Sequence, residues 1–223
     1  MLNIKPTDLV LEIGSGNRPR KRSNVLCDKF IDDNYERAHE ENVLMDHRLF
    51  VVADGLALPF KDKSFDYVIT SHILEHVDDP HRFVQELTRV AGAGYIETPS
   101  ELGEKLFGWP FHKWILHLED DTLVLRPRKE DSAFGDFFHR QYEKDPLFAE
   151  FVDSHYDDFY VRYEWRGEIK LRMEDDFSRF VKLNASERKV NASSTSRKVK
   201  ITVATMMLDA VLKLLRHFRK FEL

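Results

Sequence analysis

Only one cysteine, Cys27, occurs in 223 residues, so no disulfide can form within the chain and a disulfide-built secreted fold is excluded. A reducing, cytoplasmic setting is the expectation. Glycine and proline are sparse, at nine and eight residues, which excludes collagen-like and low-complexity architectures. No uninterrupted apolar run approaches the ~18–20 residues that cross a bilayer. The first residues, Met1-Leu2-Asn3-Ile4-Lys5-Pro6, lack the basic-then-apolar form of a signal peptide. An excess of positive charge is also missing. The 34 Lys and Arg against 39 Asp and Glu give a formal net charge of −5, so the chain as a whole is not drawn to phosphate backbones and no nucleic-acid partner is expected.

What is present is an ordinary globular mixture, 42% hydrophobic and 33% charged, long enough for one elaborated α/β domain. From Leu9 to about Ser100, short β-like apolar runs alternate with polar or helical stretches, the rhythm of βαβ units around a parallel sheet. The pattern predicts strands at Leu9–Ile13, Val25–Asp28, Phe50–Ala53, Tyr67–Thr70 and Gly94–Glu97. Between the last two, Phe83, Val84, Leu87 and Val90 fall on one helical face after Asp78-Asp79-Pro80, a sequence suited to a helix start.

Beyond the fifth strand the character changes. Residues 101–128 carry the aromatic cluster Phe107, Trp109, Phe111 and Trp114, then two apolar runs flanking Asp120-Asp121 like a hairpin. Phe134–Phe151 reads as helical, and Phe159–Trp165 with Glu168–Met173 as two strands turning at Arg166-Gly167, completing an antiparallel sheet edge. The domain is expected to close at about residue 183. A polar Ser/Asn-rich linker then spans 184–200, and 201–223 forms an amphipathic helix with an apolar stripe from Met207 to Phe218 and a cationic opposite face. Such a helix suits packing on its own domain, self-association or peripheral membrane contact.

The chemistry-bearing residues lie at the expected strand ends. Glu12-Ile13-Gly14-Ser15-Gly16-Asn17 runs from a strand into a glycine turn where backbone can approach a ligand closely. A dinucleotide site would want a helix opening here to face a pyrophosphate; the sequence continues instead as Arg18-Pro19-Arg20-Lys21-Arg22. Asp28, followed by Lys29, ends the second strand, and Asp54-Gly55-Leu56-Ala57-Leu58-Pro59-Phe60 follows the third. The fourth runs into Ser71-His72-Ile73-Leu74-Glu75-His76. The spacing of His72, Glu75 and His76 does not match the zinc pattern H-E-x-x-H, no third ligand is evident, and no metal is expected.

Taken in order, the E-I-G-x-G loop, the D-G-x-x-L-P-F segment and the S-F-D-x-V…H-x-L-E-H pattern resemble the class I S-adenosylmethionine-dependent methyltransferases, particularly the methyltransferase type 11 group. The resemblance covers roughly Leu9–Ser100. It implies a doubly wound, mostly parallel seven-strand-type sheet and S-adenosyl-L-methionine as cofactor. It further implies that Glu12, Gly14, Ser15, Gly16 and Asn17 shape the loop at the methionine moiety. Asp28 and Lys29 would lie at the ribose, Asp54, Gly55 and Leu56 at the adenine, and Ser71 and His72 beside the acceptor. His72, and secondarily His76, are the candidate bases. Trp109, Phe111, His112 and Trp114 are the candidate acceptor contacts, with Glu97 a weaker one, and the acceptor is expected to be a small molecule or biosynthetic intermediate. The alternatives are a non-catalytic S-adenosylmethionine-binding regulator and an NAD-dependent oxidoreductase.

Overall fold

A computed structural model describes residues 2–33, 35, 42–129 and 134–174. The linker expected at 184–200 and the helix expected at 201–223 lie outside the described residues.

Five parallel strands build the centre: β1 (Val10–Ile13), β2 (Val25–Asp28), β3 (Leu49–Val52), β4 (Phe65–Ser71) and β5 (Ala91–Pro99). All four residues of β1 and of β2 are buried, as continuous apolar runs are when both faces of a parallel sheet are covered. Side-chain alternation divides them. Leu11, Ile13, Val25, Cys27 and Val68 enter one core, while Val10, Tyr67, Ile69, Ala93 and Tyr95 form a second, against which Leu2 and Ile4 pack.

Helix α1 (Pro80–Val90) joins β4 to β5. The Asp79 carboxylate accepts from the Arg82 N–H at its N-terminus, 2.9 Å, satisfying a donor that the first turn leaves unpaired. Phe83, Val84, Leu87 and Val90 are its buried stripe. No helix follows β1, because the ten or so residues before β2 are taken up by turns.

After β5 come α2 (Glu101–Phe107), the hairpin strands β6 (Trp114–Glu119) and β7 (Thr122–Pro127), helices α3 (Gly135–Lys144), α4 (Pro146–Ser154) and α5 (Tyr156–Phe159), and strands β8 (Tyr160–Arg166) and β9 (Leu171–Met173). The single helix expected from Phe134 to Phe151 is two, broken where Asp145 caps Pro146 and accepts from the Leu147 N–H at 2.9 Å. Asp120 and Asp121 have φ of 45° and 61°, the doubly positive geometry of a type I′ hairpin turn.

The main sheet has the order β3-β2-β1-β4-β5-β8. Only β8 is antiparallel, paired from Ala93↔Arg166 to Pro99↔Tyr160. Among the described residues this sheet therefore has six strands. The last strand departs from the sequence reading: β9 does not fold back on β8. It pairs in parallel with β7, in a separate sheet of order β6-β7-β9. Leu116, Leu123 and Leu125 of that sheet belong to the first core. Among the described residues no helix is long and apolar enough to cross a membrane.

Candidate active site

Strand order reverses between β1 and β4, and in open parallel sheets the crevice beyond the carboxyl ends at such a reversal is where ligands bind. A cavity of about 730 Å³ occupies that place, within the ~300–1,000 Å³ typical of ligand pockets. Every residue expected at the cofactor lines it: Glu12, Gly14, Ser15, Gly16 and Asn17 after β1, Asp28 and Lys29 after β2, Asp54, Gly55 and Leu56 after β3, and Ser71 and His72 after β4.

The glycine loop is held from both sides. Gly14 (φ 69°) donates from its N–H to the Cys27 carbonyl at 2.8 Å. A β-carbon there would stand 2.1 Å from Ile73 Cδ1, so both backbone and packing require glycine. Gly16 (φ 53°) has open space where a β-carbon would project, and its N–H donates to Asp28 Oδ2 at 3.0 Å. Glu12 is buried and clamps the basic segment, accepting from the Arg20 N–H at 2.9 Å and from the Ser23 hydroxyl. Burial raises its pKa, outweighing those bonds and the Arg20 and Arg48 charges.

Asp28 also accepts from the Phe30 N–H at 3.1 Å. Each carboxylate oxygen thus takes a backbone donor at the strand tip. Asp54 accepts from the Leu56 N–H at 2.9 Å and pairs with Lys29 Nζ at 2.9 Å, tying the tips of β2 and β3 together. Burial would raise its pKa, but the Leu56 bond and Lys29 prevail and lower it. A β-carbon on Gly55 would stand 2.6 Å from the Phe83 ring, so α1 sets how closely this turn lies against the sheet.

His72 sits in the left-handed region (φ 57°), a conformation that costs a non-glycine residue energy and clusters at functional sites. Its N–H donates to the Glu97 carbonyl at 2.8 Å. Nδ1 lies 3.4 Å from Glu75 Oε1, and Nε2 lies 3.8 Å from Glu97 Oε1. Burial lowers the imidazole pKa; the Glu75 carboxylate facing Nδ1, then the Glu97 charge, outweigh it and hold His72 above its ordinary value. His76 also lines the cavity, but burial takes it down to about 4. The segment bearing both histidines is a turn.

The aromatic segment is placed differently from the sequence reading. None of Trp109, Phe111, His112 and Trp114 lines the cavity. Phe111 stacks between Trp109 and His76, at 5.5 Å from each. His112 Nδ1 bonds the buried Glu104 carboxylate, and Trp114 Nε1 donates to the Val77 carbonyl at 2.8 Å. These rings fasten the wall behind His76.

The side of the cavity beyond His72 is supplied instead by Arg20, Glu97, Tyr156 and Tyr160. Arg20 Nη2 reaches Ser71 Oγ at 3.2 Å and Glu97 Oε1 at 3.3 Å, with its guanidinium 5.2 Å from the Tyr95 ring centre. Arg20 of the basic loop is thus folded into the site. The Tyr160 ring meets His72 edge-on at 5.4 Å and Tyr156 at 4.3 Å. Burial, then the Glu97 charge, raises the pKa of both phenols. Tyr156 and Tyr160 escaped the sequence reading. The available signal was that an antiparallel strand pairing with β5 must start beside the end of β5, and Tyr160 is opposite Pro99.

Residues 24–95 match the family model described as a methyltransferase domain. The chain is similar to norajmaline N-methyltransferase of Rauvolfia serpentina, 49% identical over 45 residues, which are 20% of this chain and 15% of that protein. It is also similar to demethylmenaquinone methyltransferase of Corynebacterium efficiens, 30% identical over 127 residues, 52% of this chain and 53% of the other. The matched regions thus span from about a seventh to about half of those relatives' lengths. Among solved structures, the YcgJ protein of Bacillus subtilis aligns at 22% identity and a TM-score of 0.35, covering 44% of this chain and 47% of that one. The domain match lies across β2 to β5, the strands whose tips gather around the pocket, and it supports a class I S-adenosylmethionine-dependent methyltransferase.

Proposed function

We propose that this protein binds S-adenosyl-L-methionine in the strand-tip cavity and transfers its methyl group to a small-molecule acceptor. The observation that carries the reading is the convergence of Glu12, Asp28, Asp54 and His72, from the ends of four neighbouring strands, on one cavity. The donor set fits the cofactor. Asp28 has acceptor capacity for vicinal ribose hydroxyls, Asp54 for an exocyclic amine, and the glycine loop leaves room for the amino-acid end. The reading as an NAD-dependent oxidoreductase has less support, because residues 14–24 form turns and offer no helix N-terminus to a pyrophosphate.

When bound, S-adenosylmethionine supplies an electrophilic methyl on a sulfonium, so the chain's task is alignment and exclusion of water. Arg20 and Ser71 stand where the amino-acid end and acceptor meet, and Tyr156 and Tyr160 close the acceptor side. His72 Nε2 is the atom that takes a proton from a hydroxyl or ammonium acceptor, with Glu97 beside it to hold the resulting imidazolium. His76, held neutral by burial, belongs to the wall.

The test is incubation of the purified full chain and a cell extract with a donor carrying a labelled methyl, followed by mass identification of the product. A labelled small molecule whose formation falls at least ~100-fold in His72→Gln, with cofactor affinity retained, is the expected result. Tight cofactor binding without transfer to any component would favour the regulatory alternative.

A further inference from the structure

Behind His76, at the cavity wall, Glu75, His76 and His112 come together: one ligand atom from each lies within 4.8 Å of the others, and all three residues are buried. We propose that this cluster is a binding site for a divalent transition metal, with two imidazole nitrogens and one carboxylate as protein ligands. The proposal stands apart from methyl transfer and needs no methyl donor.

Four features of the cluster support it. Glu75 is completely buried, and neither of its oxygens accepts a well-formed hydrogen bond among the described residues. Its nearest possible partners are His72 Nδ1 at 3.4 Å and His76 Nε2 at 3.9 Å. A carboxylate taken out of water without close donors is costly unless it is paired or coordinates a metal. Second, the buried Glu104 carboxylate holds His112 Nδ1, which leaves Nε2 as the free lone pair. A carboxylate fixing the far nitrogen of an imidazole is the arrangement that orients metal-binding histidines. Arg128 Nε in turn stands 3.8 Å from Glu104 Oε2. Third, the pieces are rigidly joined, since the Glu75 carbonyl accepts from the Lys113 N–H at 2.7 Å and the Trp114 N–H at 3.2 Å. Finally, the donor set is selective: two nitrogens and one oxygen suit Zn²⁺, Co²⁺ or Fe²⁺ and not the oxygen-seeking Mg²⁺ or Ca²⁺. Three protein ligands also leave coordination positions open, as in catalytic zinc sites.

The test is titration of the chelator-treated full chain with Co²⁺, followed by visible d–d absorption and competition with Zn²⁺. One equivalent of Co²⁺ should bind and be displaced by Zn²⁺. His112→Ala should abolish the spectrum, while Glu104→Gln, which keeps the ligands but weakens their orientation, should lower affinity by about 10–100-fold. His47→Ala, at a side chain 91% exposed, should change nothing. Absence of a stoichiometric spectrum in the wild-type chain would overturn the site. A spectrum that persists in folded His112→Ala would do the same. Should His112→Ala not fold, unchanged affinity in Glu104→Gln decides against the site. S-adenosylhomocysteine binding, measured on the same samples, reports on the methyl-donor pocket separately.

Discussion

The described chain up to Pro99 and the part after it reach the same cavity by different routes. In the first part, each contributing group sits at the tip of a consecutive parallel strand, so the sheet register alone brings Glu12, Asp28, Asp54 and His72 together. In the second, Tyr156 and Tyr160 arrive because β8 returns antiparallel to β5, and Lys113 because its N–H is bonded to the Glu75 carbonyl, which also brings His112 behind the wall. A site built on strand tips is specified by local motifs; a wall built by tertiary return is specified by packing.

That contrast predicts different losses in the two parts. The largest effect is expected for Phe83→Ala. Phe83 is fully buried and sets the position of the Gly55 turn, so about 3–5 kcal/mol of stability should be lost, together with cofactor affinity, as read by denaturant midpoints and calorimetry. Gly14→Ala comes next. It places a methyl group against Ile73 at a left-handed residue and should cost ~1–3 kcal/mol, with cofactor affinity falling more than stability. Unchanged affinity there would break the assignment of the loop.

In the second part, Phe107→Leu should behave in the opposite way. The Phe107 ring meets those of Phe138, His139, Tyr142, Phe148 and Phe159 but is outside the cavity lining. About 1 kcal/mol of stability should go, with cofactor affinity intact. The smallest effect concerns pH. The Arg89 hydrogen bond holds the Glu86 carboxyl below its ordinary value, and the Leu58 N–H adds to this. A carboxyl depressed in the folded state stabilises at pH above its unfolded value, and that contribution is lost as pH falls through the folded value. The advantage of the wild type over Glu86→Gln in thermal melts, under ~1 kcal/mol near neutrality, should therefore shrink on acidification below the usual carboxylate range.

The sequence made the first part legible for a physical reason. Buried parallel strands read as apolar runs, and the motifs at their ends have fixed neighbours once the strand order is known. All the residues expected at the cofactor line the cavity, and the Asp120-Asp121 hairpin was equally readable because its turn is local. Trp109, Phe111, His112 and Trp114 were placed on the acceptor side because aromatic composition says that rings will be buried, not against what. Their partners, His76, His139, Glu104 and the Val77 carbonyl, are all contacts between separate elements. The Glu75–His76–His112 cluster was missed on the same ground: a search of local spacing sees the first two residues and stops before the third.

The central claim is that Asp28 and Asp54 at neighbouring strand tips share one nucleoside. Calorimetric titration of the full chain with S-adenosylhomocysteine, beside Asp28→Ala and Asp54→Ala, tests it most directly. One site is expected, weakened by about 1–3 kcal/mol in each variant while their melting temperatures stay near that of the wild type. No binding by the wild-type chain, or equal affinity in all three proteins, would contradict it.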